Sequence, residues 1–182
     1  MEKVLNVPNS MSLLRIAMIP ILFLLILNFT PEIYSVLIFV YFFTLLLDFM
    51  DGFIARRFHQ ETELGKILDP LADKLLIFFL VIAFMITAHF PVWLAVIIII
   101  RDFFILLAGF IVYRKSHSIK SSIIIGKVTF GGLSILIFFY VIDLNPSLNL
   151  EILKRFAIAL VFSFLLWSFG EYYKIYKEIK NG

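Results

Sequence analysis

Leu47–Lys74 reads LDFMDGFIARRFHQETELGKILDPLADK, and the reading of this stretch decides the fold. The chain on either side of it is apolar over lengths that suit membrane helices. Inside it, Asp48, Asp51, Asp69 and Asp73 stand where those apolar runs give way to polar sequence. Carboxylates at membrane level are costly, so four of them need a physical reason. The segment between the two pairs is short enough to return the chain as an antiparallel helical hairpin. Both pairs are then expected at one end of two consecutive spans.

Outward from the hairpin the pattern repeats. About 20 mostly apolar residues cross the hydrocarbon core as a helix, and six stretches qualify, roughly 11–29, 33–55, 68–88, 91–112, 122–142 and 152–172. The chain is 62% hydrophobic and only 16% charged, which excludes a soluble globular domain and points to an integral membrane protein. The runs Ile97–Ile100 and Ile123–Ile125 favour strands in water. Each lies inside a stretch of helix-spanning length, however, and an open sheet edge is not viable in lipid. The expected fold is therefore all-α, one membrane domain over residues 1–182 built as a bundle of six transmembrane helices.

Six spans place both termini on one side, together with the loops near 56–67 and 113–121. Lys3, Arg56, Arg57, Lys66, Arg114 and Lys115 lie there, as do the lysines near the C-terminus. The positive-inside rule then makes the termini and the aspartate loop cytoplasmic. Tyrosines and lysines in EYYKIYKEIK (171–180) suit anchoring at the membrane surface. The absence of cysteine excludes disulfides and thiolate metal sites. His59, His89 and His117 lie far apart in loops and read as solvated residues.

Asp48 and Asp51 are spaced i,i+3 and Asp69 and Asp73 i,i+4, so each pair occupies one helical face. Four converging carboxylates can hold one or two hard divalent cations, Mg²⁺ or Mn²⁺ among them, and magnesium commonly shares such ligands with substrate phosphates. Gly52, Ala55 and Gly65 leave room for a bulky ligand to approach the backbone. Arg56 can pair with a phosphate. The plainer readings are solvated helix caps for the aspartates, an interfacial Asp51–Arg56 ion pair, and simple helix packing for each glycine. Membrane carboxylates also line ion pathways, so a divalent-cation transporter is the competing class. Arg56 beside the carboxylates opposes a cation path, and transport sites usually lie nearer the midplane.

Read as D-x-x-D-G-x-x-A-R, eight residues, then G-x-x-x-D-x-x-x-D, the segment from Asp48 to Asp73 resembles the signature of the CDP-alcohol phosphotransferase family at every fixed position. The resemblance implies transfer of a substituted phosphoryl group from a CDP-linked donor, often CDP-diacylglycerol, to an alcohol acceptor with release of CMP. It implies metal ligation by Asp48, Asp51, Asp69 and Asp73, with two Mg²⁺ or Mn²⁺ ions, and Asp73 as general base. It further implies a CDP site formed by Asp48, Gly52, Ala55, Arg56 and Gly65. A homodimer in the bacterial cytoplasmic membrane, with its site facing the cytoplasm and no nucleic-acid partner, completes the expectation.

NVPNSMSLLR (6–15) and ELGKILDPLADK (63–74) are similar to segments of the phosphatidylglycerophosphate synthase and cardiolipin synthase subgroup. The expected acceptor is sn-glycerol 3-phosphate, with phosphatidylglycerol, giving cardiolipin, as the alternative. Arg101, deep in the fourth span, is expensive unless paired or facing a polar cavity. It is a candidate for an acceptor phosphate, alongside Lys127 and Arg15. Their plainer readings are an Arg101–Asp102 ion pair and, for Lys127, snorkelling to the interface. The chain departs from the glycerophosphate-using pattern at Gly109, where those members typically have a second Arg, and at Thr129 within GKVTF.

Overall fold

The computed structural model describes the backbone of residues 6–58, 62, 65–87, 90–116, 124–145 and 147–181. Within these it describes the side chains except at 66, 67, 105–116, 124, 125, 127 and 171–181. Six α-helices account for nearly all of it: α1 Val7–Leu27, α2 Tyr34–Arg57, α3 Gly65–Thr87, α4 Val92–Ser116, α5 Ile124–Ile142 and α6 Glu151–Asn181, with one 3-10 turn at Pro31–Ile33. The β-branched runs near 97–100 and 124–125 are helical, as their lengths require. Among the described residues, helical segments at Val7–Leu27, Pro31–Arg57, Leu68–Thr87 and Glu151–Gly170 are long and apolar enough to cross a membrane.

Helix ends follow backbone chemistry more closely than hydropathy. Helix α1 starts at Val7, ahead of the apolar run expected from residue 11, because the Asn6 side chain accepts a hydrogen bond from Asn9 N at 2.9 Å and caps the first turn. Pro8 fits this turn because an N–H there has no helical partner. Helix α6 runs to Asn181, well past the apolar limit near 172, since a change from apolar to polar sequence does not by itself interrupt a backbone ladder. Pro70 lies inside α3, which begins five residues earlier at Gly65. A proline there removes one helical donor close to Asp69 and Asp73.

The chain divides into two compact units, Met1–Phe90 with Leu144–Pro146, and Pro91–Asp143 with Ser147–Gly182. In the first, α1 packs against both α2 and α3, and among the described residues α2 and α3 make little contact with each other. Ile19, Leu22 and Ile26 of α1 are buried with Leu37 and Leu47 of α2 and Leu80 and Phe84 of α3. Phe23 meets Phe79 edge to face, with ring centroids 5.6 Å apart. The expected hairpin is therefore split by α1, which takes the place where α2 and α3 were expected to face one another.

In the second unit α5 packs along α6. Ala157, Val161 and Leu165, spaced i, i+4, i+8, bury one α6 face, while Leu133, Leu136 and Tyr140 are buried on α5. A Cβ on Gly132 would stand 3.1 Å from a Phe164 ring carbon, so the missing side chain lets the two helices approach. Lys154 closes the α5–α6 turn: its Nζ is 2.6 Å from Asp143 Oδ2, and Asp143 Oδ1 accepts from Leu150 N at 2.8 Å.

Large apolar side chains point outward throughout. Phe39 and Phe49 on α2 and Ile152 and Phe156 on α6 are mostly exposed, although they would be costly in water. Burying such surface in lipid removes that cost, which is why the cores of both units can stay narrow.

Candidate active site

One end of the first unit collects a cluster of polar residues from its three helices. Asp48 and Asp51 lie in the last three turns of α2, Asp69 and Asp73 in the first turns of α3, and Asn9, Ser12 and Arg15 at the start of α1. The α1 residues recur at i, i+3, i+6 and so form a polar stripe on an otherwise apolar helix. Asn9, Ser12 and Arg15 are all fully or almost fully buried.

Arg15 sits among the carboxylates. Its Nη1 donates to Asp48 Oδ1 and, at 2.7 Å, to Asp73 Oδ1, while its Nη2 lies 3.5 Å from Asp51 Oδ2. Ser12 Oγ stands 3.1 Å from Asp51 Oδ2 and 2.7 Å from Asp69 Oδ1, and 3.2 Å from the Pro8 carbonyl. A hydroxyl has one proton, so only one of these three oxygens receives it at a time. The two aspartate pairs thus meet through α1, at Arg15 and Ser12. Asp51 is closed in, its side chain 4% exposed, whereas the Asp48 and Asp73 side chains are 46% and 31% exposed. The cluster therefore opens on the Asp48 and Asp73 side.

Among the described residues Arg15 reaches three of the four aspartates, Asp48, Asp51 and Asp73, while Asp69 meets Ser12. Of these carboxylates Asp51 is buried, where an uncompensated charge is strongly destabilising. The donor set, all hard carboxylate oxygen, suits a divalent cation. Among the described residues no three acidic or histidine side chains surround a common point as metal ligands do; the carboxylates are arranged around Arg15 instead. The residues fit a hard cation by chemistry, with Arg15 holding the central place.

The neighbouring motif residues have structural partners of their own. The Arg56 side chain folds back over Gly52, where a Cβ would meet its Nη1 at 3.4 Å. Ala55 is half-buried on the same helix. Gly65 is buried, and a Cβ there would stand only 2.8 Å from Asn9 Oδ1. Asn9 Nδ2 donates to Thr62 Oγ1 at 3.0 Å, and Thr62 Oγ1 accepts from Gly65 N at 3.0 Å, which caps α3. The absent side chain at Gly65 is what lets the start of α3 close against the start of α1.

Arg101 belongs to the second unit. Its side chain is buried, its Nη1 donates to Asp102 Oδ1 at 2.7 Å, its Nη2 lies 3.3 Å from Ser168 Oγ, and its Nε has no hydrogen-bond partner. Lys127 falls on α5 with its side chain outside those described, and His59, His89 and His117 lie outside the described residues.

Sequence reasoning singled out Arg15 but missed Ser12, Asn9 and Thr62. The signal available was the i, i+3, i+6 spacing of Asn9, Ser12 and Arg15. It was hidden because Asn9 precedes the apolar run that marked the first span.

Fold and site together define a multispan α-helical membrane protein with a carboxylate cluster at one end of its first three helices. The chain belongs to the CDP-alcohol phosphatidyltransferase family, an enzyme family whose model matches residues 5–168. It is 35% identical over 129 residues to the CDP-diacylglycerol--glycerol-3-phosphate 3-phosphatidyltransferase of Aquifex aeolicus (strain VF5), covering 69% of each chain. Similarity extends to the cardiolipin synthase (CMP-forming) of Rattus norvegicus, 42% identical over 111 residues, 60% of this chain and 36% of that one. The CDP-diacylglycerol--glycerol-3-phosphate 3-phosphatidyltransferase of Pseudomonas fluorescens is 36% identical over 101 residues, 54% of this chain and 51% of its own. The matches thus span 36% to 69% of the lengths of these three relatives.

Proposed function

We propose that the protein transfers the phosphatidyl group of CDP-diacylglycerol to an alcohol acceptor, sn-glycerol 3-phosphate, with release of CMP. The observation that carries this reading is the convergence of Asp48, Asp51, Asp69 and Asp73, from two helices, on Arg15 and Ser12 of a third. Family membership and the relatives named for this transfer support it.

Asp48, Asp51, Asp69 and Asp73 would hold one or two Mg²⁺ or Mn²⁺ ions. Such cations neutralise a pyrophosphate and stabilise its leaving group. Asp73, on the open side of the cluster, takes the proton of the acceptor hydroxyl. That hydroxyl oxygen forms the new bond to the lipid-bearing phosphorus as the bond from phosphorus to the CMP oxygen breaks, and the electron pair leaves with CMP. Arg56, exposed on the last turn of α2, neutralises donor phosphate, with Asp48, Gly52, Ala55 and Gly65 completing the CDP site. Arg15, Arg101 and Lys127 are each a candidate, taken singly, for the acceptor phosphate; a buried guanidinium with an unpartnered Nε has donor capacity to spare.

Cytoplasmic termini, a site on the cytoplasmic side of a bacterial inner membrane, and a homodimer are part of the same reading. The charge bias of the loops supports the orientation. A second reading takes phosphatidylglycerol as acceptor and makes cardiolipin, favoured by the 42% identity to a cardiolipin synthase and by Gly109 in place of a second arginine. Purified protein supplied with CDP-diacylglycerol, Mg²⁺ or Mn²⁺, and each acceptor in turn, scored by the lipid formed, decides between them. Product with glycerol 3-phosphate alone upholds the first reading; cardiolipin alone replaces it with the second. No product from either, in protein that is folded, overturns both.

A further inference from the structure

The Arg15 guanidinium has five N–H donors in a rigid fork, and the cluster uses only one of its nitrogens well. Nη1 serves both Asp48 and Asp73, while Nε and Nη2 are buried with no hydrogen-bond partner. Arginine–carboxylate bridges are frequently bidentate, with two parallel bonds to one carboxylate. Here a fully buried cation instead touches three carboxylates from two helices at one central point, paired to the extent that charge requires and no further. Asp48 and Asp73, which share Nη1, are also the two most exposed of the three, so this seat is open from outside.

We propose that Arg15 is a resident counter-cation of the aspartate cluster, and that a divalent cation loading onto the cluster displaces its guanidinium. This rests on the reading of the aspartates as a metal site. A monocation and a dication cannot share the seat, since the like charges would repel within a few ångströms in a poorly screened place. Arg15 holds α2 and α3 to α1 against the mutual repulsion of the carboxylates. In the loaded protein its charge is freed to meet an anion at the mouth of the cluster. Binding is thereby ordered, with the cation first and the phosphate second. The arrangement also sets a threshold, because the cation must outcompete a tethered guanidinium.

The test uses the full chain in detergent micelles with Mn²⁺ as probe, read by loss of the free-ion electron paramagnetic resonance signal, alongside the melting temperature without metal. Arg15→Gln is expected to bind Mn²⁺ about tenfold tighter than wild type or better, and to melt lower without metal. Arg15→Lys, which keeps a charge but reaches fewer carboxylates, is expected to fall between the two. Unchanged or weaker Mn²⁺ affinity in Arg15→Gln overturns the exchange while leaving the metal site standing. If Arg15→Gln does not fold, Arg15→Lys decides: several-fold tighter binding supports the exchange, and equal or weaker binding overturns it. Should wild type and an Asp48→Asn, Asp69→Asn double variant take up Mn²⁺ equally, the metal reading itself fails and the exchange falls with it.

Discussion

Asp73 Oδ1 accepts a hydrogen bond from Arg15 Nη1 at 2.7 Å, and the same nitrogen donates to Asp48, so one atom of α1 joins the carboxylate pairs of α2 and α3. The site depends on this three-helix arrangement.

Asp73→Asn keeps the shape and most of the polarity of the side chain but removes its basicity. CMP release is expected to fall by about 10²-fold or more, the ordinary worth of a general base, while CDP-diacylglycerol still binds. Steady-state CMP release and equilibrium binding of the donor check this. Full turnover in the variant would remove Asp73 from the proton transfer.

Ser12→Ala takes from Asp51 and Asp69 the hydroxyl that both approach. Loss of a buried hydrogen bond to a charged group is expected to cost about 1.5–3 kcal/mol. Ser12→Thr, which retains the hydroxyl, should stay close to wild type. Denaturation of the two variants under identical micellar conditions compares them directly, and equal stability of Ser12→Ala and wild type would count against the bridge.

Gly65→Ala places a methyl group 2.8 Å from Asn9 Oδ1. Overpacking of this kind costs about 1–3 kcal/mol, and the expected damage is separation of the α3 start from α1. Adding Asn9→Ser to relieve the clash should recover stability. If the double variant also recovers its KM for CDP-diacylglycerol, Gly65 serves packing; if the KM stays high, Gly65 serves the donor as well.

Arg101→Ala and Lys127→Ala test the acceptor assignment. Loss of a charged hydrogen bond of about 1.5–3 kcal/mol corresponds to a rise of roughly tenfold or more in acceptor KM, with a smaller effect on the donor. Equal effects on both substrates would reassign Arg101 to its ion pair with Asp102.

Chelation should abolish lipid transfer, and Mg²⁺ or Mn²⁺ should restore it, because a cluster of hard carboxylate oxygens suits a divalent cation that shares substrate phosphates. Activity that persists through exhaustive chelation would remove the divalent cation from the reaction.

The all-helical fold was legible because the bilayer leaves few choices: apolar stretches of spanning length without turn signals must satisfy their backbone internally. The aspartate motif was legible too, since Asp48, Asp51, Asp69 and Asp73 are out of place in hydrocarbon. Arg15 was singled out as a candidate for an acceptor phosphate; its contacts with the carboxylates came only from the structure. The partners Ser12 and Thr62 escaped notice because a serine or threonine in or beside a membrane helix usually bonds its own backbone, as Thr44 does with Val40.

Sequence alone therefore determined the helical membrane architecture and which carboxylates stand out in it, because spans and carboxylates are read from composition and short-range spacing. Tertiary structure decided which helix completes the cluster. A hairpin of α2 and α3 could have brought the aspartate pairs face to face, yet α1 lies between them and carries Ser12 and Arg15 to the carboxylates from more than thirty positions away. Four like charges repel unless a cation or a proton donor stands among them. Which segment supplies it depends on three-dimensional packing, and no local pattern in Leu47–Lys74 encodes it.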